Sequence, residues 1–430
     1  MVTVANVDLW GKSVGAVLWN PDSGVASFQF EPGFLRNDWD IAPLTMPVNE
    51  ARQGRIFNFP GLPVETYYGL PGLLADSLPD KFGHQLINMW LALQGRTSNS
   101  MNPVEMLCYM GRRGMGALEF RPATRIEQGT SHFLEVSELV NLAQKAFNHK
   151  EDLNTSFSDD EKQAMLEIIR VGTSAGGARA KAVIAINKSG KVKSGQLDAP
   201  EGYTHWLIKL DGVTDEQLGD PKGYGRIEYA YHKMAMDCGI EMTECRLLEE
   251  NGRAHFMTRR FDRPDHKSKL HMLTLCGLSH FDYNNPLSYS YEQAFQAMRS
   301  LRLSYPAAEQ LYRRMVFNVI GINNDDHTKN ISFLMDQSGQ WSLSPAYDVT
   351  YAFNQSHKYL SQHQLSVNNK RTGISRGDLF SVAEQMNIKK PKEIIEQIRE
   401  AIKKWPEYAA MAEIPENQVV SIGRTHLINI

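Results

Sequence analysis

Asn323-Asn-Asp-Asp-His-Thr-Lys-Asn330 is the stretch on which the reading of this chain turns. It follows a run with apolar residues at helical spacing, Leu311, Met315, Val319 and Ile322, so it is predicted to be a tight polar loop leaving a buried helix. Asp325 and Asn330 stand five apart. That spacing matches the catalytic loop of kinases, in which an aspartate takes or orients the proton of the acceptor hydroxyl and an asparagine holds a magnesium ion. Taken alone, the same residues also suit a capped surface loop, because Asn and Asp are common turn formers. The decision rests on what surrounds them.

Downstream, Ile331-Ser-Phe-Leu-Met335, a turn at Asp336-Gln-Ser-Gly339 and Trp341-Ser-Leu343 read as a hairpin that returns Tyr347-Asp348 beside the loop. Asp348 then becomes a second ligand for magnesium, which prefers hard oxygen donors and shares its shell with phosphates and water. Upstream, Gly172, Gly176 and Gly177 lie between a short helical run, Ala164–Ile169, and a hairpin whose first strand is Ala182–Ile186. Glycines there let backbone N–H groups approach phosphates, although the spacing is neither Gly-x-Gly-x-x-Gly nor a Walker loop and equally suits a flexible turn. Lys209 sits inside the apolar strand Thr204–Leu210, where a buried ammonium needs a partner; a solvent-facing edge position is the alternative. Glu228, nineteen residues on and early in the helix predicted over 227–236, is a good candidate for that partner. A strand lysine paired to a helix glutamate positions ATP in kinases.

The remaining chain sets limits. With 430 residues and 42% apolar content it can bury several cores, and length suggests two or three domains. A net charge of −3 supplies no general attraction to nucleic acid. Cys108, Cys238, Cys245 and Cys276 match neither zinc-ligand pairs nor a secreted disulfide framework, which points to a reducing cytoplasm. The first residues do not read as a signal peptide, and no apolar run is long enough to span a bilayer, so no membrane association is expected. Residues 1–125 mix short alternating strands with turns; Asp76–Asp80 reads as a capping segment before a helix over 82–93; Gly111–Gly116 reads as a structural turn. Asn148–Asp160 is polar and acidic and reads as a linker, and beyond Tyr224 the pattern is mainly helical.

Assembled in this order, the chain resembles the HipA family, the kinase toxins of bacterial toxin–antitoxin pairs. The resemblance is carried by Asp325–Asn330, Tyr347-Asp348, Thr258-Arg-Arg-Phe-Asp-Arg263, Thr204–Lys209, Leu62-Pro63 and Gly72-Leu-Leu-Ala-Asp-Ser-Leu-Pro79. It implies an α+β fold: a β-rich N-terminal subdomain (1–125), a helix and linker (126–160), a kinase-like small lobe (161–258) and a mainly helical large lobe (259–430). It further implies ATP and Mg2+ as cofactors, with Asp325 as catalytic aspartate and Asn330 and Asp348 on the metal. Gly176, Gly177, Ala178, Arg179, Ala180 and Lys181 would line the phosphates, with Lys209 against them and Glu228 as its ion-pair partner. Arg259, Arg260 and Phe261 would border adenine, while His327, Thr328, Lys329, Asn330, Tyr347 and Asp348 complete the pocket. Ser174 falls at the autophosphorylation position, where phosphate would add negative charge to the glycine loop.

The resemblance implies an aminoacyl-tRNA synthetase as substrate, and neutralisation by a HipB-like helix-turn-helix antitoxin that carries the DNA contact. Two departures stand out: Arg259 replaces an acidic residue, and Gly176-Gly-Ala-Arg-Ala-Lys181 replaces the commoner Ala-Gly-Ala-Gln-Glu-Lys. The same Asp/Asn/Asp chemistry would also serve a small-molecule phosphotransferase of the antibiotic-kinase kind. A silent co-repressor scaffold is the third reading, and intact Lys209, Asp325, Asn330 and Asp348 speak against it.

Overall fold

Alternating apolar residues build the first sheet. In a computed structural model describing residues 2–79, 81–93, 95–97, 100–122, 140, 144, 179–195, 199–213 and 223–430, Ala5, Val7 and Leu9 point inward from strand Val4–Leu9. That strand lies between Lys12–Asn20 and Leu118–Pro122, and Val25–Phe30 completes an antiparallel four-stranded sheet. Trp10 and Gly11 turn the first hairpin with φ of 50° and 75°, the left-handed pair that a two-residue turn between right-twisted strands requires. Trp10 is held there from afar, by its Nε1–H donated to the Lys269 carbonyl at 2.7 Å. The predicted linker 148–160, the helical run 164–169 and the glycine segment through Ala178, with Ser174, Gly176 and Gly177, lie outside the described residues.

Two helices, Lys81–Leu93 and Pro103–Met110, close this unit, the second capped by Asn102, whose side chain accepts from Glu105 N at 2.9 Å. Of the predicted capping segment, Asp80, next to the first of them, lies outside the described residues, and at its other end stands Asp76. It ends the short helix Gly72–Ala75, and its carboxylate accepts from the backbone N–H and hydroxyl of Thr274 at 2.6 and 2.8 Å. A local pattern marks the segment as rich in capping residues; only packing shows that Asp76 serves a distant helix start.

The second sheet is antiparallel, in the order Val192–Ser194, Lys181–Asn187, Tyr203–Lys209, Arg253–Arg259, Cys245–Glu250. Register places Lys181 directly opposite Lys209. The helix Tyr224–Asp237 lies against this sheet through Gly225, where a Cβ would stand 2.5 Å from the Ala254 carbonyl oxygen. That close approach brings Glu228, one turn later, under the sheet.

The third region is organised around the helix Tyr305–Gly321, whose Leu311, Met315, Val316, Phe317, Val319 and Ile320 are fully buried. Ile322 ends it at φ 57°, and the polar loop follows. Beyond the loop, Ser332–Met335 and Trp341–Leu343 form the predicted hairpin, joined on its other edge by His271–Thr274. The helices Arg376–Met386, Pro391–Lys403, Trp405–Met411 and Glu416–Gly423 complete the lobe. All four cysteines are free, and no described helix is long and apolar enough to cross a membrane.

Buried histidines give this fold an acid limit. Burial depresses His205, His232, His271 and His426 from 6.5 to about 4. Between those values the unfolded chain binds more protons than the folded one, so stability falls as pH falls, by up to about 1.4 kcal/mol per pH unit for each group. Melting temperature is therefore expected to be level near neutrality and to drop steeply below about pH 6.5. A midpoint unchanged between about pH 7 and about pH 5 would contradict this account.

Candidate active site

The loop after Gly321 is fastened at both ends. Asn324 N–H donates to the Ala352 carbonyl at 3.0 Å, and Ala352 N–H donates back to Ile322 at 3.1 Å. Asn330 Nδ2 donates to the Asp325 backbone carbonyl at 2.7 Å, closing the loop across the five-residue spacing. With its amide nitrogen committed, Asn330 keeps Oδ1 as the atom available to a cation.

The adjacent aspartates differ completely. Asp326 has no exposed side-chain surface and accepts from Tyr291 Oη at 2.9 Å, His363 Nδ1 at 2.9 Å and Gln364 N at 2.7 Å. Asp325 remains 45% exposed and accepts from Gln364 Nε2 at 2.6 Å. Asp326 holds the loop in place, which leaves Asp325 as the carboxylate able to meet an acceptor.

Asp348 arrives as expected. Arg314 Nη2 donates to the Ser344 carbonyl at 2.6 Å, and Ser344 N–H to the Ser332 carbonyl at 2.9 Å, so the end of the hairpin is fixed to the central helix. Tyr347 then donates its hydroxyl to the Lys329 carbonyl within the loop itself. Asp348 adopts φ 53°, a left-handed conformation uncommon for a non-glycine residue, and its carboxylate meets the Lys209 ammonium. Lys209 Nζ also donates to Glu228 Oε1 at 2.6 Å, so the predicted strand–helix pair forms and gains a third member. Burial favours neutral Lys209, but Asp348 and Glu228 outweigh it and raise the ammonium above its ordinary value. Burial would likewise raise Asp348; the charges of Lys209 and Lys181 prevail and hold its carboxyl below the usual range.

The other expected residues divide. Arg179 stacks over Tyr224, with its guanidinium 3.7 Å from the ring centroid, while Ala180 and Lys181 are buried where the strand Lys181–Asn187 of the second sheet begins. Arg259 N–H is given to the Glu244 carbonyl at 2.9 Å, and Arg260 N–H to His205 at 3.0 Å. The Arg260 guanidinium donates to Asp262 from Nε and Nη2, at 2.9 and 2.6 Å. Phe261 packs on Tyr347, ring centroids 5.6 Å apart. His327 lies 4.0 Å from Asp325 Oδ1. Thr328 is buried and donates to the Phe281 carbonyl at 2.9 Å, and Lys329 lies over the Tyr283 ring at 4.4 Å. Asp326, His363, Gln364 and Tyr291 had no sequence signal beyond their polarity.

Asp348 and Asn330 offer hard oxygen donors, a set that fits Mg2+ shared with phosphate oxygens. Among the described residues no cluster of three or more His, Cys, Asp or Glu could hold a metal by itself.

Two family profiles match the chain: one described as the HipA N-terminal domain over residues 5–121, and one described as the HipA-like C-terminal domain over residues 173–405. No curated protein matches it. Among solved structures, a chain of the Shewanella oneidensis MR-1 toxin–antitoxin system HipA, HipB and its operator DNA complex is similar over 98% of this chain and 94% of that one. The TM-score is 0.65 at 12% identity, a likeness of fold. The Helicobacter pylori proinflammatory kinase CtkA matches over 53% of this chain and 88% of its own at a TM-score of 0.34 and 14% identity, too distant to carry an argument. The fold is α+β, as the sequence predicts, with a four-stranded N-terminal sheet, a five-stranded antiparallel second sheet and a mainly helical C-terminal region.

Proposed function

The chain belongs to the HipA family, and from that premise we propose that it is a serine/threonine protein kinase toxin that transfers the γ-phosphoryl of ATP to a protein hydroxyl. The observation that carries this reading is the convergence of Lys209, Glu228 and Asp348 through direct contacts beside the Asp325–Asn330 loop. We extend it to a division into 1–125, 126–160, 161–258 and 259–430, with nucleotide held between the second and third sheets.

In this mechanism Lys209, kept charged by Glu228, binds the phosphates, and Arg179 to Lys181 continue the same wall. Asp348 and Asn330 would hold Mg2+, which when bound neutralises charge on the transferring group. Asp325 accepts the proton of the acceptor hydroxyl as the new O–P bond forms and the bond to the departing ADP oxygen breaks. Gly176, Gly177 and Ala178 are assigned to the phosphates, and Ser174 to autophosphorylation. The acceptor is proposed to be an aminoacyl-tRNA synthetase in the cytoplasm. A HipB-like antitoxin as partner is supported by the complex that shares this fold, and the net charge of −3 agrees with leaving DNA to that partner.

The test is incubation with magnesium-ATP and a panel of synthetases, with small hydroxyl compounds as competing acceptors. Label is expected on one synthetase, and intact mass should show one added phosphate on the chain itself that Ser174→Ala removes. Label confined to small compounds would make this an antibiotic-kinase type of enzyme, and no label anywhere would sink the kinase reading.

A further inference from the structure

One short segment grips both aspartates of the loop. His363 Nδ1 and Gln364 N–H bond Asp326, while the Gln364 side chain turns to the other aspartate and donates from Nε2 to Asp325 Oδ1 at 2.6 Å. Gln364 is only 4% exposed, so its amide has little competition from water. Its own backbone is locked: Arg371 bonds the Gln364 carbonyl and, at 2.8 Å, the Tyr289 carbonyl. Leu365-Ser366 also pairs in parallel with Tyr289-Ser290. The amide is thus delivered to Asp325 by a braced strand from outside the loop. No described residue donates to Asp325 Oδ2.

A carboxylate rotates freely about its last bond, in a broad two-fold well. Fixing one oxygen leaves the other aimed, and a loss of aim of about 1 Å costs about 100-fold in rate. A neutral donor suits this task better than a cation, which would draw off the negative charge that the acceptor proton needs. We propose that Gln364 is a positioning residue for phosphoryl transfer, holding Asp325 Oδ1 so that Oδ2 faces the acceptor hydroxyl. This rests on Asp325 acting as proposed above. Anchoring of the loop is a separate matter, carried by Asp326 with Tyr291, His363 and the Gln364 backbone, none of which a side-chain change at 364 removes.

The experiment compares the full chain with Gln364→Leu and Gln364→Glu. Gln364→Leu should lower kcat by about 10- to 100-fold with KM for ATP and melting temperature close to wild type. Gln364→Glu sets two carboxylates against each other at neutral pH, and a proton shared between them at lower pH restores a donor to Asp325. Its kcat should therefore recover on acidification relative to wild type, a signature that a merely structural residue does not produce. A wild-type kcat in Gln364→Leu, or a Gln364→Glu profile parallel to wild type, overturns the proposal. Exchange of the Gln364 side-chain amide protons, followed by nitrogen-labelled glutamine NMR, should be slow in wild type and fast in Asp325→Ala. Fast exchange in wild type with transfer intact removes Gln364 alone. Slow exchange in a protein that labels no acceptor removes the kinase reading, and the positioning role with it.

Discussion

Asp325→Asn is expected to bind magnesium-ATP about as tightly as the wild type and to lose phosphoryl transfer by about 100- to 10,000-fold, the share that a positioned general base contributes. The substitution keeps an oxygen able to accept from Gln364 and leaves the backbone carbonyl that takes Asn330 Nδ2, so the loop keeps its shape. What disappears is the charge that draws the acceptor proton. Neither Lys209 nor Asp348 contacts the Asp325 side chain, so nucleotide affinity should be spared. Calorimetry with magnesium-ATP and labelling of the synthetase panel separate the two effects. Toxicity on expression should vanish with transfer. Equal labelling by mutant and wild type would remove Asp325 from the chemistry, and a matching collapse of ATP affinity would recast it as a binding residue.

Asp262→Asn should produce the largest loss of stability of any single substitution considered, about 3–5 kcal/mol. Asp262 is completely buried between Arg260 and Arg263, whose side chains are 1% and 5% exposed. It accepts from Arg260 Nε and Nη2 at 2.9 and 2.6 Å, from Arg263 Nη1 at 2.7 Å and from Gly116 N at 2.8 Å. Arg263 meanwhile donates to the Gly114 and Gly116 carbonyls at 3.1 and 2.8 Å, so the cluster ties the end of the small-lobe sheet to the turn after Pro103–Met110. Removing the carboxylate leaves two guanidinium charges buried without a counterion, where desolvation is no longer offset.

The pH signature follows from the same cluster. Burial alone would raise the Asp262 carboxyl, but the two guanidiniums hold it far below its ordinary 3.8. Its stabilising contribution is therefore complete above about pH 4 and lost only as pH falls towards the folded value. Chemical denaturation should show the same Asp262→Asn deficit at about pH 8 as at about pH 6, with the gap narrowing only below about pH 4. A deficit under about 1 kcal/mol would show that water reaches the arginines once the carboxylate is gone.

Much of the fold was legible because its signals are local. Period-two alternation in Val4–Leu9 and Val25–Phe30, and helical spacing from Leu311 to Val319, are set by where successive side chains point along a strand or helix. The Lys209–Glu228 pair could be anticipated for a related reason: an ammonium within an apolar strand must find a carboxylate, and the next helix offered one. The turn at Gly111–Gly116 was expected as structural, and its Gly114 carbonyl and Gly116 N–H now serve the buried arginine cluster. The partners of Asp76 and Arg260 were not legible, since a capping residue looks the same in sequence whichever helix it serves, and an arginine beside a cleft looks the same whether it faces ligand or carboxylate.

By itself, then, the amino-acid sequence determined many of the elements and the chemical types arrayed along them: strand lysine, helix glutamate, loop aspartate and asparagine, hairpin aspartate. Only the tertiary structure decided which of two neighbouring aspartates stays open to solvent, because Asp325 and Asp326 differ in the partners that Tyr291, His363 and Gln364 bring from outside the loop. It alone joined Lys209 to Asp348, 139 residues away, and Asp76 to Thr274, 198 residues away. A carboxylate's role follows from its desolvation and from the donors around it, and both are supplied by segments whose proximity is fixed by core packing, on which the residues flanking that carboxylate carry no information.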